Sequence, residues 1–220
     1  MVTPRKSSVW VKICGITNLE DAQAAIHAGA DALGFVFARR SPRVTERRIV
    51  APILMALPRT VETVGVVANE DSEYLEGLLR FCPFQALQFH GEESPEEVLA
   101  WKGKVRLIKA IRVKDAESLQ QIPRYQGVDA ILLDTYQAGQ AGGTGTSFNW
   151  ELATRAKKFG IPVIVAGGLN PSNVADLVRQ VQPYGVDVVT GVEASRGRKD
   201  HSLVREFVLR AKSAVSIPKQ

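Results

Sequence analysis

Short apolar runs recur along the chain at near-regular intervals, and the segments between them return to apolar residues every three or four positions. The runs are VWVKICGI from Val9, ALGFVF from Ala32, ETVGVVA from Glu62, ALQFH from Ala86, RLIKAIR from Arg106, AILLDT from Ala130, PVIVAGG from Pro162 and DVVTGV from Asp187. They are apolar in succession rather than in alternation, which is the pattern of strands buried on both faces of a parallel sheet. Intervening segments such as LEDAQAAIHAG, EYLEGLLRFC, SNVADLVRQV and HSLVREFVLRAKSAV carry the helical period. Asn18, Ser94-Pro95 and Pro171-Ser172 stand where caps and first-turn prolines open helices, and Gly29, Gly160 and Gly185 where helices should stop.

Eight strands alternating with eight helices predict an α/β fold, a single (β/α)8 TIM barrel spanning residues 1–220 as one domain. Eight such regular units are long for an open doubly wound sheet. Gly29-Ala30-Asp31, Gly127-Val128-Asp129 and Gly185-Val186-Asp187 each introduce an even-numbered strand, a faint internal echo. Barrel chemistry sits on the loops after the strands. The two longest intervals put ARRSPRVT after strand 2 and YQAGQAGGTGTS after strand 6, on that face.

The 220 residues are 45% hydrophobic and 23% charged, so the chain can bury a substantial core without disulfides or metals. No apolar stretch nears the ~20 residues of a membrane helix, and the basic N-terminal segment lacks the apolar core of a secretory signal. Cys14 and Cys82 lie in unrelated patterns, which points to a reducing cytoplasm. The 28 Lys and Arg against 23 Asp and Glu leave +5, too small and too dispersed for a nucleic-acid-binding arm. Arg39, Arg40, Arg43, Arg47 and Arg48 form the one dense cluster. It reads either as a solvated loop and helix start or as a source of one or two groups gripping a small anion.

At the strand ends, Ala166-Gly167-Gly168 after strand 7 and Thr190-Gly191-Val192 after strand 8 fit loops whose N–H groups hold a phosphate. Gly142-Gly143-Thr144-Gly145 lacks the Lys-Ser/Thr of a nucleotide loop, so it fits a lid or a further phosphate contact. Cys14 and Asp134 are the candidate acid and base. A thiolate at Cys14 would be assisted by Lys12 and Arg43, whereas Asp134 could equally be a capping or ion-paired aspartate. Lys109 offers either a Schiff-base amine or a barrel ion pair, and His90 either faces the site or is structural. His27, His90 and His201 are too scattered for a metal.

KICGIT at 12–17, GFVF with SPR at 41–43, LQFHGEE at 87–93, LLDT at 132–135, GGTG at 142–145, AGGLNP at 166–171 and GVEASRGRKD at 191–200 occur in that order. With these motifs the chain resembles the phosphoribosylanthranilate isomerases of tryptophan biosynthesis along essentially its whole length. The resemblance implies an Amadori rearrangement without metal or organic cofactor, by a cytoplasmic monomer or homodimer acting on a small phosphorylated substrate. It implies Cys14 as general base, Asp134 as general acid and Arg43 as the grip on the anthranilate carboxylate. Gly167, Gly168, Thr190 and Gly191 would hold the phosphate. Thr190 stands where the family has serine, and Thr146 where a charged residue often follows GGTG.

Overall fold

Strands with both faces apolar need two separate cores, and the fold supplies them. The computed structural model describes residues 8–39, 41–134 and 148–215. Eight parallel strands close into a barrel in chain order: β1 (Trp10–Cys14), β2 (Ala32–Val36), β3 (Glu62–Val67), β4 (Ala86–Phe89), β5 (Arg106–Arg112), β6 (Ala130–Asp134), β7 (Val163–Ala166) and β8 (Gly185–Val188). Around them lie α1 (Leu19–His27), α2 (Arg47–Ala56), α3 (Ser72–Phe81), α4 (Pro95–Leu99), α5 (Phe148–Ala156), α6 (Val174–Val181) and α7 (His201–Ser213). A hairpin of β9 (Glu193–Ser195) and β10 (Arg198–Lys199) follows β8.

One parity along the strands faces the helices, with Val11, Ile13, Leu33, Phe35, Ile131, Leu133 and Val165 in one large core. The other parity faces the barrel axis, where Trp10, Ala32, Val64, Ala86, Ile108, Ala130, Leu132 and Ile164 form a second core. Above it, Cys14, Val36 and Val66 make a small third cluster toward the C-terminal mouth. At the opposite end, Arg106 lies 5.6 Å from the Trp10 ring and 5.4 Å from the Tyr184 ring while donating to Glu62 at 2.8 Å. This closes the N-terminal end of the barrel.

The residue before each of three even-numbered strands is joined to the preceding odd strand by two hydrogen bonds. Asp31 donates its N–H to the Val11 carbonyl and accepts the Val11 N–H on its side chain, both at 2.9 Å. Asp129 does the same to Leu107, at 2.9 and 2.7 Å, and Gln85 to Thr63, at 3.1 and 2.8 Å. Two of the three Gly-x-Asp echoes are therefore one structural device. The third is not, because Asp187 lies inside β8. That strand begins at Gly185, two residues before the predicted start, and a Cβ there would lie 2.6 Å from Trp10 Cε3. Gln182, in the left-handed region at φ 48°, ends α6 in place of Gly185.

Asn18 caps α1 by accepting from the Asp21 N–H, and Ser94 forms a capping box with Glu97 ahead of Pro95. Pro171-Ser172 lies in a turn instead, with α6 starting at Val174, because the Asn170 side chain accepts from Ser172 N at 2.8 Å. Between β5 and β6 an expected helix is replaced by 3-10 turns over Glu117–Tyr125, where Pro123 has no N–H to donate.

Asp129→Ala leaves the Leu107 N–H without its side-chain acceptor. The variant is expected to lose about 1–2 kcal/mol in urea unfolding, the cost of a part-buried donor left unpaired. An unchanged midpoint would remove this brace from the account of barrel closure.

Candidate active site

Cys14 is the last residue of β1 and belongs to the inward row that begins with Trp10 and Lys12. Its neighbour across the pairing is Gly34, where a Cβ would lie 2.5 Å from the thiol sulfur. Glycine in β2 is thus the condition for a side chain at this point in the barrel. The next residue, Gly15, has φ +77° and lets the chain leave the strand beneath Arg43.

Below the thiol, Lys12 is fully buried and donates to Asp187 at 2.8 Å, joining β1 to β8 across the barrel seam. Burial works against the lysine charge, but Asp187 and then Cys14 outweigh it and hold Lys12 above the ordinary lysine value. Burial pushes the Cys14 thiol up. Lys12 and Lys199 pull it down and Asp187 adds to the rise, so the net direction is upward.

Arg43 lies in the loop after β2 and pairs with Glu193 through Nε and Nη2, both at 2.6 Å. The hydrogen bond to Glu193 holds the guanidinium above its ordinary value. Burial opposes ionisation of Glu193, but Arg43 and Lys199 outweigh it and hold the carboxyl below the usual range. Lys199, buried at the end of the β9–β10 hairpin, donates to the Val189 carbonyl at 3.0 Å and lies 3.5 Å from Glu193. Its burial lowers it below the ordinary lysine value despite the Glu193 charge.

The arginine cluster is thereby sorted. Arg39 lies near Glu70 and the Tyr74 ring, Arg47 stacks on Tyr74 at 4.6 Å, and Arg48 pairs with Glu46 on the surface. Arg43 alone among the described four reaches the β8 loop, and Arg40 lies outside the described residues.

Asp134 ends β6 on the inward row above Leu132 and is partly exposed at the mouth. Its Oδ2 lies 3.3 Å from His90 Nε2, while Gln88 Nε2 lies 2.9 Å from His90 Nδ1. His90 therefore does face the mouth. Lys109 does not: it lies on the outward row of β5 and donates to Glu93 and the Gly91 carbonyl, both at 2.7 Å. A Schiff-base role for Lys109 is overturned by that placement, since its amine is enclosed between barrel and helices.

After β7, Gly167 and Gly168 take φ +84° and +66°, and a Cβ at Gly168 would meet open space. After β8, Thr190–Val192 form a single 3-10 turn. A Cβ at Gly191 would overlap the Leu169 carbonyl oxygen, so glycine there is what lets the loops after β7 and β8 touch. Thr135, Gly142–Gly145 and Thr146 lie outside the described residues.

Glu193, Lys199 and Asp187 join the cluster around Cys14 and Arg43, although the sequence does not single them out. Glu193 and Lys199 fall in the GVEASRGRKD motif, but the hairpin that returns Lys199 to Glu193 has no periodicity to mark it. Asp187 reads in sequence as a strand start.

A family model for N-(5'phosphoribosyl)anthranilate (PRA) isomerase matches residues 11–210. The chain is 50% identical over 205 residues to the N-(5'-phosphoribosyl)anthranilate isomerase of Geobacter metallireducens, covering 93% of this chain and 100% of the relative. It is similar to the crystal structure of phosphoribosyl anthranilate isomerase from Thermotoga maritima, with a TM-score of 0.86 and 38% identity over 92% of this chain and 98% of that one. A phosphoribosyl anthranilate isomerase solved in complex with reduced 1-(o-carboxyphenylamino)-1-deoxyribulose 5-phosphate matches with a TM-score of 0.84 and 37% identity, at the same coverage.

Because burial raises the Cys14 thiol, its alkylation by iodoacetamide in the ligand-free Cys82→Ala protein is expected to accelerate with pH through a midpoint above the ordinary thiol value. Mass spectrometry of the Cys14 peptide reads this directly. A midpoint below neutrality contradicts a thiol dominated by burial.

Proposed function

Because this chain belongs to the N-(5'-phosphoribosyl)anthranilate isomerase family, we propose that Cys14 and Asp134 are its general base and general acid. The protein is an isomerase of tryptophan biosynthesis. It carries out the Amadori rearrangement of N-(5-phosphoribosyl)anthranilate to 1-(2-carboxyphenylamino)-1-deoxyribulose 5-phosphate. The observation that supports the pair is positional: each ends its strand on the inward row, Cys14 on β1 and Asp134 on β6.

In this reading Asp134 gives its proton to the furanose oxygen, and the C1–oxygen bond breaks to leave an iminium at the anthranilate nitrogen. The Cys14 thiolate then takes the C2 proton. The electron pair of that C–H bond neutralises the iminium, and the enolamine so formed tautomerises to the ketone. Lys12 and Lys199 favour the thiolate against burial, and the iminium adds positive charge at the moment the base is needed. His90 meets Asp134 through Nε2 and orients its carboxyl.

Arg43 holds the anthranilate carboxylate, while Gly167, Gly168, Thr190 and Gly191 hold the phosphate. The consecutive left-handed glycines after β7 and the contact between the two loops support that division. Among the described residues no helix is long and apolar enough to cross a membrane. We assign a cytoplasmic, single-domain enzyme spanning residues 1–220, as a monomer or homodimer.

Cys14→Ala and Asp134→Asn are each expected to lower kcat by at least ~10²-fold at unchanged fold, since each removes a positioned proton transfer. Cys82→Ala, at the far end of α3, serves as the control with kcat preserved. Stopped-flow loss of substrate fluorescence measures all three, and near-normal kcat in a folded Cys14→Ala protein would sink the base assignment.

Arg43→Ala is expected to raise KM more than it lowers kcat, by the roughly 1.5–3 kcal/mol of a charge-assisted hydrogen bond. Inorganic phosphate should compete with substrate. Silence in both measurements means that the substrate lies in another orientation.

A further inference from the structure

Arg43 reaches the barrel mouth already engaged. Its Nε and Nη2 are bonded to the two oxygens of Glu193, and both side chains are largely buried. A guanidinium has five N–H donors arranged in a planar fork, so this side-on pairing leaves the Nη1 and Nη2 edge able to meet a second carboxylate end-on. The pairing also fixes which way that edge points.

Glu193 is itself held. It accepts from the Gly197 N–H at 3.3 Å and lies 3.5 Å from the buried Lys199 ammonium, so the β9–β10 hairpin presents it as a rigid group. Arg43 is confined from below, because its Cδ passes so close to Gly15 that a Cβ there would lie 2.9 Å away. Glu193 follows directly on Thr190–Val192, the turn assigned to the phosphate. One carboxylate thus ties the loop after β2, at the anthranilate end, to the loop after β8, at the phosphate end.

We propose that Glu193 is a specificity-determining positioning residue: its side-on pairing with Arg43 sets the free edge of the guanidinium for the anthranilate carboxylate. The proposal rests on the reading of Arg43 as the carboxylate grip. Glu193 touches Arg43 and not the substrate, and it acts by keeping one long, rotatable side chain in one orientation. Without it the guanidinium would have to be ordered anew by each substrate molecule, at the cost in side-chain entropy that preorganisation removes. The local charge is part of the design. Glu193 neutralises Arg43, and Lys199 behind it returns a positive charge to the cluster when protonated, so an incoming carboxylate meets a directed donor edge instead of a diffuse positive field.

The test compares N-(5'-phosphoribosyl)anthranilate with its decarboxylated analogue, N-(5'-phosphoribosyl)aniline, in Glu193→Gln, Arg43→Ala and the double variant. Glu193→Gln keeps the shape and removes the charge that fixes the arginine. It is expected to raise KM for the anthranilate substrate about tenfold, the scale of one charge-assisted contact. Its kcat/KM for the aniline analogue should stay within about twofold of the parent. In the double variant it should add nothing to Arg43→Ala. Glu193→Asp, which keeps the charge but shortens the reach, should show the same selective loss. It decides the matter if the glutamine variant fails to fold. Equal losses on both substrates, or no loss on either, overturn the proposal by giving Glu193 a structural role or none. If Arg43→Ala itself fails to discriminate between the substrates, the carboxylate-grip reading falls first and takes the proposal with it.

Discussion

The ion pair of Lys12 and Asp187 is the interaction on which the rest of this molecule depends. It lies inside the barrel at the seam where the first strand meets the last, with both side chains out of solvent. Two buried charges are tolerated only in contact, and separating such a pair costs about 3–5 kcal/mol because one charge is left uncompensated. Any register of β1 against β8 that moved Lys12 away from Asp187 would incur that cost. The same register lifts Cys14, two residues further on, to the mouth. Barrel closure and placement of the thiol are therefore one event.

Room at the mouth is made by missing Cβ atoms. Gly34 clears the volume of the Cys14 sulfur, Gly15 the path of the Arg43 stem, and Gly191 the contact with the Leu169 carbonyl. A tightly packed barrel leaves no other way to bring a thiol, an arginine and two loops together at one end. The glycines do different jobs, however. Only those at Gly15, Gly167 and Gly168 are demanded by a left-handed backbone; at Gly34 and Gly191 the demand is purely one of space.

Most of the architecture is legible in the sequence because each run of successive apolar residues declares a strand with two buried faces, and eight of them at similar spacing leave few alternatives. Cys14 and Asp134 are legible as strand-end groups, and Arg43 is separable from its cluster only by family resemblance. What stays hidden is what depends on partners distant in sequence. Arg43 and Glu193 are 150 residues apart, and no local pattern in either loop reports the other. The start of β8 is misread because a glycine signals a helix stop, while here Gly185 is demanded by the Trp10 ring and Gln182 ends the helix. The 3-10 turns at Glu117–Tyr125 hide behind a helical period that Pro123 interrupts.

Two buried lysines show why identity alone does not assign a role. Lys12 and Lys109 both lie on barrel strands, both are almost fully enclosed, and both meet a carboxylate within 2.8 Å. They differ in parity. Lys12 is on the row that faces the axis and ends at the mouth, so its field acts on Cys14. Lys109 is on the row that faces the helices. Its partner Glu93 also accepts from the N–H groups of Asn69 and Gly91, and that knot secures the loops after β3 and β4 from behind. A barrel strand assigns its residues to chemistry or to scaffold by one bit, inward or outward. A one-residue slip would exchange the two roles along an entire strand, which is why the braces that Asp31, Gln85 and Asp129 supply at the opposite end matter to a site they never touch.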